Sequence, residues 1–422
     1  LIGLGDSVAI VGYKDSTLFT LIENDNVLIK KYIVPEMDDF FVSISEQSYL
    51  SALGQTIIDD FSGQEIYVLA SYIDVLHRAM HVFNGDVRVR LLTGILHPEA
   101  WSIWEPGIGF NSARAFKPKK INRLWHYQRQ LLLRLDRNNA IWYLNDTHRK
   151  YNEYYFETEL TFNGSVAIPV EPSSCAANIS YSTPTSEIRV LWLGRFDFFK
   201  NPCILRFIDE LESLLIERAD LEITFDLIGY GVGCYEREIK SYAGIKKERL
   251  KINFLGKKKV SDICKVVESG GYHFGLAMGT STYHLAMMGL PVVVIEACAN
   301  DYQKFMRGMW LDDASEEYDD GSALYLALAG KHVTKRRIIK DLLSDIFIDG
   351  FLQNKSKHCR DYVEKYHSVD ILMPKIRNLL LSSTYCEKFV YTFNKNMPDE
   401  FYHRFGKARN ISVAIFGIGS GA

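Results

Sequence analysis

Residues 279–294 read GTSTYHLAMMGLPVVV. Three small hydroxylated residues run into a segment with helical spacing, and Gly-Leu-Pro then leads into a bare apolar run. Thr280, Ser281 and Thr282 can cap the helix and leave backbone N–H groups pointing outward, which makes an anion site from free donors and the helix dipole. His284 lies one turn in, where it would reach a ribose or a phosphate, although a lone helix histidine is more often structural. The apolar run that follows reads as a buried strand. A strand, a helix and a strand in such quick succession point to a parallel sheet with crossover helices.

The same grammar extends outward in both directions. Before the stretch come strands at IRVLWLG (188–194), LEITFDLIGYG (221–231), LKINFLG (250–256) and YHFGLAMG (272–279). Helical patterns separate them at 202–218, 234–244 and 260–270. The first half alternates less cleanly, with strands at 7–13, 65–72, 87–98 and 140–146 and helices at 48–61, 73–84 and 147–156, the last with Thr147 as its N-cap. A short strand at 166–174 precedes CAANISYSTPTSE (175–187), which has the composition of a linker. At 422 residues the chain is too long for one small core. The expected fold is α/β, two Rossmann-like domains with parallel sheets facing a cleft. Residues 1–185 form the first and 186–384 the second, 385–410 return as helices to the first, and 411–422 open a further segment of a longer protein.

Composition narrows the function classes. The net charge of −3 gives no global field for nucleic acid. The seven cysteines are scattered without a C-x-x-C pair, so neither a zinc site nor a disulfide framework is expected and a reducing cytoplasm is the default. No apolar run is long enough to span a membrane. The segment RAFKPKKINRLWHYQRQLLLRLDR (114–137) is basic, with interleaved aromatics and leucines. It could lie on an anionic membrane surface beside a lipid-linked acceptor, or be a solvated helix face.

Four strand ends in the second half carry the candidate chemistry. Gly194 ends a strand, Arg195 follows, and Lys200 stands before a helix, so two cations flank a place where a phosphate would fit. Gly229 and Gly231 follow the next strand, where a phosphate or sugar needs close backbone approach, though a plain turn would look the same. A nucleobase could rest on the glycine of FLGKKK. The fourth end is the opening stretch itself. Asp226 interrupts an apolar strand. A buried carboxylate needs a partner or a task, and one task is nucleophile in a double displacement, against an ordinary edge-strand Asp. In the first half His97 ends a strand, where it would hydrogen-bond a sugar or move a proton, or simply be fixed in a turn by Pro98.

In this order and spacing, these elements resemble the C-terminal domain of GT-B glycosyltransferases, and among them the large retaining family that builds bacterial surface polysaccharides. GR with a lysine five residues on is similar to that family's diphosphate-binding pair. LIGYG is similar to its IVGxG, and YHLAMMGLPVVV to its lEAMAxGLPVVa. The likeness covers roughly 188–297, and the first half matches in outline. It implies a nucleotide-sugar donor held by Gly194, Arg195, Lys200, Gly229, Gly231, Thr280, Ser281, Thr282 and His284, with His97 and Asp226 as candidate catalytic residues. It also implies no cofactor and no metal, since Arg195, Lys200 and the helix start can stabilise the leaving phosphate. A glycan or lipid-linked acceptor of the lipopolysaccharide O-antigen or capsule type would meet the first domain, with no nucleic acid involved and the protein cytoplasmic or peripheral on the membrane's inner face. The family's acidic pair is absent: His284 and Leu276 stand where glutamates are usual. That departure leaves open a CMP-Kdo-type transferase, a sugar-nucleotide epimerase on the same fold, or a catalytically degenerate scaffold.

Overall fold

The computed structural model describes residues 7–13, 29–34, 44–70, 73–95, 122–162, 164–171, 179–197, 200–231, 233–244, 249–295, 306–314, 336–387 and 412–418. In chain order the first elements are β1 (Ser7–Tyr13), β2 (Lys30–Val34), α1 (Ile44–Asp60), β3 (Glu65–Ala70), α2 (Ile73–Phe83), β4 (Val89–Ile95), α3 (Asn122–Arg137), β5 (Ile141–Tyr143) and α4 (Asp146–Phe156). The second group is β6 (Glu187–Leu193), α5 (Asn201–Glu217), β7 (Glu222–Ile228), α6 (Gly233–Ala243), β8 (Leu250–Gly256), α7 (Val260–Gly270), β9 (Phe274–Ala277), α8 (Thr280–Met287) and β10 (Val292–Ile295). The last are β11 (Arg307–Trp310), β12 (Arg337–Ile338), α9 (Ile339–Asp345), α10 (Phe351–His367), α11 (Val369–Ser382) and β13 (Ser412–Ile418).

Two sheets result. The second has the order β12-β11-β10-β9-β6-β7-β8. Its five central and outer strands β10, β9, β6, β7 and β8 are parallel, and β11 and β12 add antiparallel pairs at one edge. Strands covered on both faces read as continuous apolar runs, as VVVI of β10 does. The helices between them are amphipathic. On α5, Cys203, Ile204, Phe207, Ile208, Leu211 and Leu215 are buried, a single stripe at helical spacing, and Pro202 sits in the first turn where its missing N–H costs nothing. Each such apolar side chain contributes about 1.5–3 kcal/mol on burial.

The first sheet has the order β2-β1-β13-β3-β4-β5. The stretch expected to open a further segment, 411–422, instead supplies β13, which lies between β1 and β3 and runs antiparallel to both. Its apolar composition, SVAIFGI, is that of an interior strand. The return of the chain also comes earlier than 385–410. Leu372, Ile376 and Leu380 of α11 share an apolar cluster with Tyr67 and Leu92 of the first sheet and with Leu191 and Ile228 of the second. Just beyond α11, Ser383 Oγ donates to the Leu91 carbonyl at 2.7 Å, Leu91 N–H donates to the Tyr385 carbonyl at 2.8 Å, and Tyr385 is buried in the first core. Residues 388–411 lie outside the described residues.

Two smaller expectations are also corrected. The N-cap of α4 is Asn145, two residues before Thr147: its side-chain oxygen accepts the His148 N–H. The basic segment is helical over 122–137, but its apolar half faces inward. Leu131, Leu132 and Leu135 are fully buried, Trp125 Nε1 donates to the Tyr155 carbonyl at 3.2 Å, and Arg129 Nε donates to the Phe156 carbonyl at 2.9 Å. These aromatics and leucines are therefore core, not a membrane-facing stripe, while Lys117, Lys119 and Lys120 lie outside the described residues. Among the described residues no helix is long and apolar enough to cross a membrane. Cys203, Cys234, Cys359 and Cys386 are free thiols, whereas Cys264 is disulfide-bonded, which the scattered spacing did not announce.

The placement of β13 is directly testable. Removing residues 412–422 leaves β1 and β3 without their shared neighbour, so the first sheet should lose cooperative unfolding while the second retains it. Limited proteolysis should then cut within 7–162 and spare 187–295. An unchanged digestion pattern and melting curve would contradict the pairing.

Candidate functional site

The chain leaves β6 and adds β7 and then β8 on one side, then crosses back to place β9 and β10 on the other. The connections thus diverge between β6 and β9. In open α/β sheets the crevice at the carboxyl ends of such strands is where ligands bind. Two helices begin at that crevice, α5 after β6 and α8 after β9, and neither has a side-chain cap bond at its N-cap residue. Their first-turn N–H groups and dipoles favour an anion there.

The β6 end is shaped by backbone contact. Gly194 N–H donates to the Ile228 carbonyl at 3.1 Å and Phe196 N–H to the Tyr230 carbonyl at 2.9 Å, so residues 194–196 continue alongside the end of β7. This explains the two glycines. A Cβ at Gly229 would stand 2.0 Å from the Gly194 oxygen, and one at Gly231 would stand 1.9 Å from the Phe196 oxygen. Any side chain at either position would push the β6 loop away. Their smallness thus serves the neighbouring backbone rather than a ligand. Arg195 is exposed and sits 3.8 Å from the Asp197 carboxylate. Lys200 is buried at the start of α5, and its N–H donates to Asp197 Oδ1 at 3.2 Å. Asp197, which sequence reasoning passed over, therefore links the two cations: it faces one and caps the turn that carries the other. Tyr230 presents an exposed ring beside this edge, with Lys257 Nζ 4.5 Å from its centroid.

The β9 end is built from 279–284. Gly279 has φ 65° and ψ −149°, a conformation available to glycine and little else. The three hydroxyl residues do not cap the helix as expected: Gly279 is the N-cap and they form the first turn. Thr282 is buried and its hydroxyl donates to the Gly279 carbonyl at 2.6 Å, which fixes the turn. Thr280, Ser281 and His284 are partly exposed, and His284, four residues after Thr280 and three after Ser281, neighbours both on the helix surface. Burial holds the His284 imidazole below its ordinary pKa, so it is neutral near pH 7 and acts as a hydrogen-bonding group, not a cation.

The structure does not bring Asp226 to this crevice. His97 lies outside the described residues. Asp226 is buried in the middle of β7, and both its oxygens are occupied. Asn253 Nδ2 donates to Oδ1 at 2.8 Å, Tyr272 Oη donates to Oδ2 at 2.6 Å, and Arg189 Nη2 is 3.6 Å from Oδ2. Arg189 and Tyr272 stand at the amino-terminal side of β6 and β9, away from the ligand edge. The nucleophile role is therefore withdrawn: this carboxylate ties three strands together. Its partners were scattered over 84 sequence positions, Arg189 to Tyr272, and no local pattern announces them. Leu276 is wholly buried in β9 and offers the crevice nothing. Among the described residues no group of three His, Cys, Asp or Glu side chains is placed to hold a metal ion.

Removing the carboxylate tests this correction. Asp226→Ala leaves a phenol, an amide and a guanidinium without their acceptor, a loss of about 3 kcal/mol. The melting temperature should fall by several degrees, with ligand binding by the folded protein intact. Full stability combined with lost turnover would restore Asp226 to the chemistry.

No protein-family model matches the chain, and no curated protein matches its sequence. Solved structures match it in fold. A glycosyltransferase from Rickettsia africae ESF-5 aligns with TM-score 0.57 at 12% identity, covering 90% of each chain. Weaker matches include a UDP-forming α,α-trehalose-phosphate synthase from Burkholderia xenovorans, with TM-score 0.48 at 11% identity over 80% of this chain and 78% of that one. TarM from S. aureus gives TM-score 0.42 at 15% identity over 69% of this chain and 51% of that one. Identities this low speak to architecture alone, and the architecture is the one expected from the sequence: the chain has the GT-B fold.

Proposed function

We propose that the protein is a glycosyltransferase that takes its sugar from a nucleotide-sugar and passes it to a growing surface glycan of the lipopolysaccharide or capsule kind. One observation carries the reading. Two helix starts whose N-cap residues make no side-chain cap bond stand at the adjacent strand ends β6 and β9, with Arg195 and Lys200 beside one and Thr280, Ser281 and His284 on the other. That combination suits a diphosphate whose far oxygen becomes the leaving group. As the glycosyl bond breaks, negative charge builds on that oxygen. Cations and preoriented N–H groups already aimed at it stabilise the transition state more than the ground state, without reorganisation. Arg195, Lys200 and the α8 start thus supply the charge that the leaving phosphate needs. The exposed ring of Tyr230, one strand over, would meet the nucleobase. Arg195 is paired only loosely with Asp197, and an incoming phosphate would compete for it on favourable terms. The match to a Rickettsia glycosyltransferase supports the fold on which this reading stands. The surface-glycan acceptor rests on the resemblance of residues 188–297.

A scaffold reading has one observation in its favour: His284 and buried Leu276 occupy the positions of the acidic pair. Product formation separates the two. With the cognate donor, Arg195→Ala and Lys200→Ala should each raise the donor KM and lower kcat, reducing kcat/KM more than tenfold, since a charge-assisted hydrogen bond is worth about 1.5–3 kcal/mol. Circular dichroism should show both variants folded. Unchanged kinetics in both would remove the phosphate site, and absence of turnover with UDP-, GDP-, dTDP- and CMP-sugars alike would favour the scaffold.

A further inference from the structure

The first turn of α4 holds two buried polar groups that the fold does not use. His148 is 1% exposed, and its Nδ1 lies 3.0 Å from the Ile95 carbonyl. A carbonyl only accepts, so Nδ1 carries the proton and Nε2 presents a lone pair. Nε2 is buried and has no hydrogen-bond partner. Asn145 is 3% exposed. Its side-chain oxygen accepts the His148 N–H at 2.9 Å as the N-cap, and its Nδ2 is likewise buried without a partner. One turn thus offers one vacant acceptor and one vacant donor. Buried polar groups are nearly always bonded, and each vacancy costs about 1–3 kcal/mol. Two together, in one helix turn, point to a ligand.

The place in the fold says what kind. Ile95 is the last residue of β4, and Asn145 follows β5 by two positions, so both groups stand at the carboxyl ends of adjacent parallel strands. In this sheet, as in the second, that is the edge where ligands sit. A neutral acceptor paired with a neutral amide donor does not suit an anion or a cation. It suits hydroxyl groups, which give to one and receive from the other. Burial drives the imidazole pKa down to about 4, so the lone pair stays available at neutral pH.

We propose that Asn145 and His148 form a sugar-hydroxyl subsite on the first sheet, in which Nε2 of His148 accepts from one hydroxyl of the acceptor glycan and Nδ2 of Asn145 donates to a neighbouring one. This rests on the glycosyltransferase reading for the word acceptor, but not for the binding itself. The chain then reads its two substrates with two helix starts of opposite character. The cationic one on the second sheet takes the phosphate, and the neutral one on the first takes the hydroxyls.

The two nitrogens of His148 can be separated by substitution. His148→Asn keeps an amide donor where Nδ1 meets the Ile95 carbonyl and removes the acceptor at Nε2. His148→Gln keeps a polar atom near Nε2 and gives up the Ile95 bond. Calorimetry and saturation-transfer NMR with methyl glycosides of glucose, galactose, mannose and N-acetylglucosamine measure the subsite, and calorimetry with UDP, GDP, dTDP and CMP measures the other sheet. The wild type should bind at least one glycoside. His148→Asn should weaken that binding about three- to tenfold with its melting temperature nearly unchanged, the effect of one neutral hydrogen bond. His148→Gln should melt lower while holding the glycoside within about twofold of wild type. Nucleotide affinity should be the same in all three. Wild type that binds no glycoside, or His148→Asn that binds as wild type does, overturns the subsite. Glycoside binding that depends on His148 in a protein that binds no nucleotide would keep the subsite and remove the transferase reading.

Discussion

The candidate site depends on how closely two backbones approach at the carboxyl ends of β6 and β7. The carbonyl oxygens of Gly194 and Phe196 occupy the space where side chains would stand at 229 and 231. Because that space is free, the β6 loop keeps bonding to the end of β7 for three residues beyond the strand. The loop is thereby held flat against the sheet, and α5 begins where Asp197 can cap it. Arg195 is delivered to the outside of the loop and Lys200 to the inside of the helix turn. A side chain at either glycine would displace the loop and with it both cations. The geometry of the candidate site is thus a consequence of steric exclusion one strand away.

Around this point the molecule divides its polar and apolar work. Inside the second sheet one carboxylate, Asp226, gathers a phenol, an amide and a guanidinium from three other positions. A buried charge persists only when compensated, and here the compensation ties β6, β7, β8 and the start of β9 into one register. Between the two sheets the contact is apolar. Tyr67, Leu92 and Trp142 meet Leu191, Ile228 and the inner face of α11 in one cluster. The return of the chain along α11 to Ser383 and Tyr385 keeps the two units tethered at a second point.

The five parallel strands of the second sheet were legible from sequence because their signals are local, whereas the antiparallel edge strands β11 and β12 were not read. Apolar runs such as VVVI, glycines after strands, and amphipathic spacing on α5 each report a short-range requirement, and the structure places strands and helices there within one to three residues. What escaped was non-local. The strand SVAIFGI is as apolar as its neighbours, yet nothing in it says that it belongs between β1, about 400 residues upstream, and β3, about 350 residues upstream. The leucines of the basic segment carry the same pattern whether they face lipid or protein, and only the packing of α3 decides. Arg195, Lys200 and the 280–284 turn could be named as candidates because strand ends announce themselves, and the structure puts them at the ends of β6 and β9. Asp226 was misread because a buried carboxylate looks the same whether its partners are protein or substrate. His148 was overlooked because its vacancy is visible only once the Ile95 carbonyl is known to take its other nitrogen.

The central claim is that the β6 and β9 ends together hold the phosphates of a nucleotide. Hydrogen–deuterium exchange with and without saturating UDP, GDP, dTDP or CMP tests it most directly. With the nucleotide that binds, exchange should slow in the peptides covering 194–201 and 279–284, with a smaller effect at 229–231, and should be unchanged on α9 and α10. Protection confined to other parts of the chain, or no protection by any of the four, would contradict the account.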